Sequence, residues 1–251
     1  MKLIKALLIT GTLFASQAGY AADNMPTKTG ITDHGYVYQQ GFIPKQILKL
    51  NLNETALLII DPQNDFMSEQ SPLWPLVGPS ITENHMVEHL TQLIGAAEKN
   101  KMFVFYSPHL YTKNDIKDWR SLNGIDKIMF ENKMFIEGTH GHDYLPALRP
   151  SESTIVLSPH KGLSNFWSGD IAIQMRQRGI KTIIIAGMAA NMCVDAHSRD
   201  AVENGFDLIV VADAVAAAGK LANEAALTNY EFLAHEVLTT KQVLDKIEKA
   251  K

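Results

Sequence analysis

From Leu50 onward the chain repeats one theme that leaves few folds open to it. A short, continuous apolar run rich in β-branched residues ends at a polar or small residue, and an amphipathic stretch follows. The runs lie at 56–60, 103–106, 154–157, 182–185, 208–211 and, more weakly, 236–238. Apolar residues fill these runs without alternating, as in strands buried on both faces. Helical spacing appears between them, near 80–99, 168–178, 191–204, 220–234 and 240–250. The stretch Asp170-Ile-Ala-Ile-Gln-Met-Arg-Gln-Arg-Gly179 shows the pattern well, with a glycine where a helix stops. Strands alternating with helices mean βαβ units, a parallel sheet and an α/β fold. One segment breaks the rhythm. Residues 107–153 hold Trp119, Phe130, Phe135, His140, His142 and Tyr144, and read as an insertion that forms a lid, binding loop or oligomer contact.

The N-terminus follows a different logic. Lys2 and Lys5 precede an apolar run at 6–14, and small residues lead to Ala21-Ala22-Asp23. That is the layout of a secretory signal peptide at 1–21, too short to remain as a membrane span. The expected product is periplasmic or secreted, with no stable membrane anchor after cleavage. A polar arm at 22–50 and a single domain at 51–251 complete the expected organisation. Formal charge is −4, without a basic run, which argues against nucleic acid as a partner. The one cysteine, Cys193, rules out an intramolecular disulfide and leaves a free thiol in an oxidising compartment.

Open parallel sheets bind ligands beyond the carboxyl ends of their strands. The first run ends in Asp61, within Ile60-Asp61-Pro62-Gln63-Asn64-Asp65-Phe66. The third ends in Ser158-Pro159-His160-Lys161, and the fourth in Gly187-Met188-Ala189-Ala190-Asn191-Met192-Cys193-Val194. A carboxylate, an amine and a thiol thus come from three strand ends on one sheet edge. A helix N-terminus and the Lys161 charge would favour the thiolate of Cys193. Asp61 would take the thiol proton and return it to a leaving group. Backbone N–H groups between Met188 and Cys193 would face an oxyanion. Each residue also has a plainer role open to it: Asp61 as a turn cap, Lys161 as a solvated amine, Cys193 as an inert core thiol.

These residues and motifs resemble the isochorismatase-like cysteine hydrolases, a family of nicotinamidases, N-carbamoylsarcosine amidases, ureido and biuret hydrolases and isochorismatases. The similarity runs from about Thr55 to Val211, and the Cys193 motif with Ser198-Arg199-Asp200-Ala201 is its most specific part. The resemblance implies a three-layer α/β/α sandwich on a six-stranded parallel sheet, and a homo-oligomer. It implies a triad of Asp61, Lys161 and Cys193, and a cis peptide at Met188–Ala189 aiming the Ala189 and Cys193 N–H groups at the oxyanion. Gln63, Phe66, His109, Asn165 and Trp167 become candidates for contact with a small-molecule substrate. The nicotinamidase branch binds a metal through an Asp-x-His motif, where this chain has Ser107-Pro108-His109. No catalytic metal and no cofactor are therefore expected. The implied activity is hydrolysis of a C–N bond in a small amide, carbamoyl or ureido compound. Vinyl-ether cleavage by a proton-donating aspartate, or a non-catalytic binding role, are the alternatives.

Overall fold

The computed structural model describes residues 46–251 and the backbone of two short strands before them. Those strands, β1 (Thr29–Ile31) and β2 (Val37–Gln39), pair antiparallel. The expected signal segment at 1–21 and much of the expected arm lie outside the described residues.

Six strands form the main sheet: β3 (Thr55–Ile60), β4 (Phe103–Ser107), β5 (Ile155–Val156), β6 (Thr182–Met188), β7 (Asp207–Ala216) and β8 (Glu236–Leu238). Their order is β5-β4-β3-β6-β7-β8, and every neighbouring pair is parallel. Strand alternation divides the apolar residues between two cores. On β3, Leu57 and Ile59 face one core, while Ala56, Leu58 and Ile60 face the other. Helices α1 (Asn64–Met67), α2 (Trp74–Glu83), α3 (Met86–Lys99) and α10 (Thr240–Lys249) cover the first face. Helices α6 (Asn165–Ser168), α7 (Ile171–Gln177), α8 (Asp195–Glu203) and α9 (Lys220–Leu233) cover the second. The result is the three-layer sandwich that buried, non-alternating strands require.

Two local departures have clear causes. The helical stretch near 80–99 is two helices, because His85 adopts a left-handed φ of 47° between them. The third apolar run yields only two residues of ladder, at the sheet edge. The 107–153 insertion carries two short helices, α4 (Lys113–Asp118) and α5 (Gly124–Glu131). Its Met129, Phe130, Met134, Phe135 and Ile136 join the first core, so it is packed down rather than free-standing. No helix among the described residues is long and apolar enough to cross a membrane.

Strand order places the chemistry. From β3 the chain moves outward to β4 and β5 on one side, then returns to build β6, β7 and β8 on the other. The crevice between the ends of β3 and β6 is the topological switch point, where doubly wound sheets bind ligands. Asp61 follows β3, and the turn bearing Cys193 follows β6.

Candidate active site

Close approach of two backbones builds the floor of this crevice. Gly187 on β6 has φ 119°, and a Cβ there would lie 2.1 Å from the Ile60 carbonyl oxygen. Only glycine fits such an approach at such a φ. Asp61, just beyond Ile60, takes a left-handed φ of 48°, which aspartate tolerates better than most residues. Its N–H donates to the Ser107 carbonyl at 3.0 Å, which fixes it against β4. After β6 the chain passes through a cis Met188–Ala189 peptide, as the resemblance implied, into a wide helical turn, Ala190–Val194. Tyr230 of α9, fully buried, donates its hydroxyl to the Ala190 carbonyl and pins that turn.

Asp61, Cys193 and three histidines, His109, His160 and His197, meet here, all at or near zero exposure. His160 Nε2 lies 2.9 Å from Asp61 Oδ1. His160 Nδ1 lies 2.7 Å from the Gly162 carbonyl, which can only accept, so Nδ1 carries a proton. The Nε2–Oδ1 contact then needs a proton of its own, shared with the carboxylate. Burial works against a charged His160, but the Asp61 charge and its hydrogen bond outweigh that and raise the imidazole above its usual range. His160 is therefore the cation of the site.

The expected cation, Lys161, is elsewhere. Its ammonium pairs with Asp115 on α4 of the insertion, and its side chain is partly exposed. The reason is parity. Beyond β5 the chain rejoins the extension of β4 through a parallel bridge between His109 and His160. The His160 N–H donates to the Pro108 carbonyl at 3.0 Å, and the Leu110 N–H to the His160 carbonyl at 3.1 Å. Neighbours in an extended segment point to opposite sides. With His160 turned to Asp61, Lys161 must turn away.

The thiol also differs from expectation. Burial pushes the Cys193 pKa well above its usual value, and the nearby Asp61 carboxylate pushes the same way. The Ala189 and Cys193 N–H groups stabilise the anion without offsetting these effects. Cys193 therefore rests as a thiol beside a carboxylate. Asp61 Oδ2 has no hydrogen-bond partner.

His197 completes the constellation from one helical turn beyond Cys193. Its Nδ1–H donates to the Cys193 carbonyl at 2.7 Å, and its Nε2 accepts from the Asn165 N–H at 3.0 Å. The Ser107 hydroxyl reaches the same nitrogen at 3.1 Å. Burial and the neighbouring His160 charge hold it neutral, down to about 3. It ties together the ends of β4 and β6 and the loop after β5. Its i, i+4 spacing from Cys193 was the available signal, since that spacing puts both on one helical face.

The candidate substrate contacts divide. Gln63 spends both amide atoms on backbone: its oxygen accepts from the His109 N–H at 2.7 Å, and its nitrogen donates to the His109 and His142 carbonyls at 2.9 and 2.8 Å. Asn64 donates to the His140 carbonyl, and Asp65 accepts from the Phe135 N–H. Phe66 packs on Phe135 with ring centres 4.9 Å apart. This motif staples the insertion to the sheet, and Asp61 alone of it faces the chemistry. Asn165 is likewise structural, donating to the Ser158 carbonyl and accepting from the Ile171 N–H. Trp167 is 85% exposed and borders a surface cleft of about 320 Å³ with Gly162, Leu163, Ser164 and Arg199. The lining of that cleft does not include Asp61, His160 or Cys193.

His109 does stand in the site. It is buried against Tyr111, Phe135 and His160, with ring centres 4.7, 5.1 and 4.7 Å away. Neither ring nitrogen has a partner. Burial, then the neighbouring histidines, drive it well below the usual imidazole range, so it is neutral.

Comparison with known proteins places the fold. The ureidoacrylate amidohydrolase of Methylorubrum extorquens is 26% identical over 197 residues, spanning 73% of this chain and 79% of that protein. A solved cysteine hydrolase from Pseudomonas syringae pv. phaseolicola has a TM-score of 0.74 at 23% identity, covering 83% of this chain and 99% of its own. N-carbamoylsarcosine amidase from Thermoplasma acidophilum has a TM-score of 0.58 at 23% identity, with 74% and 96% covered. At these identities the two structures speak for the fold. The family profile of the isochorismatase domain matches residues 55–242, most of the sequence and all six strands of the main sheet, and the chain belongs to that family.

Proposed function

We propose that the protein hydrolyses a C–N bond in a small amide, carbamoyl or ureido compound, using Cys193 as nucleophile, Asp61 as proton carrier and His160 as the cation beside it. The observation that carries this reading is the sharing of one carboxylate. Oδ1 of Asp61 is held by His160, Oδ2 has no hydrogen-bond partner, and the Cys193 thiol lies close to the same carboxylate. The names of the ureidoacrylate amidohydrolase and N-carbamoylsarcosine amidase relatives support C–N hydrolysis and a ureido or carbamoyl group.

As sulfur attacks the carbonyl carbon, its proton passes to Asp61, so a free thiolate never has to exist in the buried site. The carbonyl oxygen takes the electron pair and is received by the Ala189 and Cys193 N–H groups. Collapse breaks the C–N bond, Asp61 gives its proton to the nitrogen, and ammonia or an amine departs. Water then adds to the thioester, with Asp61 taking its proton. The S–C bond breaks, and that proton returns to sulfur. His160 keeps one oxygen of Asp61 occupied throughout, so the other does the proton transfer.

Kinetics of single variants test this. Cys193→Ala and Asp61→Asn are expected to abolish turnover of a ureido substrate. Loss in Asp61→Asn with retention in Cys193→Ala would replace the nucleophilic reading by proton-donor cleavage. We extend the proposal to an exported, oligomeric protein, from the N-terminal pattern and the family resemblance. It is checked by the N-terminal residue and light-scattering mass of protein recovered from the periplasm.

A further inference from the structure

Three buried polar atoms at this site have no hydrogen-bond partner in the resting enzyme: Asp61 Oδ2 and both ring nitrogens of His109. Unpaired buried polar atoms are uncommon in native proteins and each needs an explanation. Here they converge. One donor atom from each of Asp61, His109 and His160 lies within 4.8 Å of the other two, and all three residues are buried. We propose that Asp61, His109 and His160 form a binding site for a divalent first-row cation of the zinc type, which occupies the crevice in competition with the substrate.

The donor set fits that class. Two imidazoles and one carboxylate suit zinc, cobalt or nickel better than calcium or magnesium, which prefer oxygen. Ligand atoms around tetrahedral zinc sit about 3.3 Å apart, given bonds of about 2.0–2.1 Å. Donors within 4.8 Å of one another therefore need to close by roughly 1.5 Å at most. The surroundings fit as well. His160 Nδ1–H is held by the Gly162 carbonyl, the outer contact that commonly fixes a metal-binding imidazole and presents its Nε2. The rings of Tyr111 and Phe135 hold His109 in place without using either nitrogen. Three protein ligands leave a fourth position open, with Cys193 beside Asp61.

This set is not the Asp-x-His arrangement of the nicotinamidase branch, since Ser107 stands where its aspartate would be. It became possible because His160, a metal-binding residue type, faces Asp61 where an ammonium was expected. A bound cation would take up both Asp61 and His160, and would release the His160 Nε2 proton to solvent. The proposed hydrolysis, on which only this consequence rests, would then be inhibited by zinc and restored by a chelator.

Metal uptake tests the site without reference to activity. Full-length protein is treated with a chelator, dialysed and titrated with Co²⁺ followed by visible absorption and calorimetry. The expected result is one Co²⁺ per chain with the d–d bands of a low-coordinate site, displaced by Zn²⁺. His109→Gln and Asp61→Asn should each weaken binding at least tenfold, with native circular dichroism confirming the fold. Lys161→Met should bind as the parent does. Absence of stoichiometric uptake by the parent protein would overturn the proposal. So would unchanged affinity in either folded ligand variant.

Discussion

A single residue decides the character of the site. His160 and Lys161 are adjacent cations, and only the pairing of the chain beyond β5 tells them apart. His160→Gln is expected to lower kcat/KM by at least about a hundredfold, the usual scale for a group that serves proton transfer. Lys161→Met should stay within roughly threefold, because a partly exposed pair with Asp115 contributes little. Steady-state kinetics on one ureido substrate separates the two. A histidine cation also brings a pH dependence that lysine would not. The folded-state pKa of His160 is raised, so its contribution to stability is complete below about 6.5 and is lost as pH rises through the higher folded value. The stability gap between the parent and His160→Gln should therefore shrink on the alkaline side, as followed by denaturant melts from pH 6 upward. The sequence could not show this choice. Spacing placed a cation after the third strand, but two residues of ladder at a sheet edge gave no parity to read.

At the scale of elements, the strands were plain in the sequence because a sheet covered on both faces needs continuous apolar runs. Asp61 and the Cys193 turn followed from strand ends. The staple formed by Gln63, Asn64 and Asp65 did not, because its partners are backbone groups 46 to 79 residues away. Nor did the break at His85, where no glycine or proline marks the left-handed residue. The contact between β3 and β6 is the element-level feature most open to test. Gly187→Ala puts a methyl carbon 2.1 Å from a backbone oxygen at a φ of 119°. Strain and overpacking together should cost roughly 3 kcal/mol or more. Chemical denaturation would report that loss, and a cost below about 1 kcal/mol would mean that the two strand ends separate easily.

For the whole molecule, stability and reactivity draw on the same buried polar cluster. His197 is held neutral to about 3, the opposite sign to His160. Its contribution is present above about 6.5 and is lost as pH falls, by about 2 kcal/mol at pH 5. The parent should lose stability between pH 6.5 and 5 more steeply than His197→Gln, measured by denaturant melts at each pH. The fold as a whole thus keeps one charged pair and two neutral histidines in a space closed to bulk water. In the proposed mechanism this dry environment suits a thiol with a raised pKa, because its proton passes to the neighbouring Asp61. Rapid quenching of the enzyme with a small ureido or amide substrate, followed by mass spectrometry of the intact chain and its peptides, tests that claim most directly. An added acyl mass confined to the Cys193 peptide is expected, absent in Cys193→Ala and accumulating when turnover is slowed. Full turnover by Cys193→Ala, with no adduct on the parent enzyme at any quench time, would contradict it.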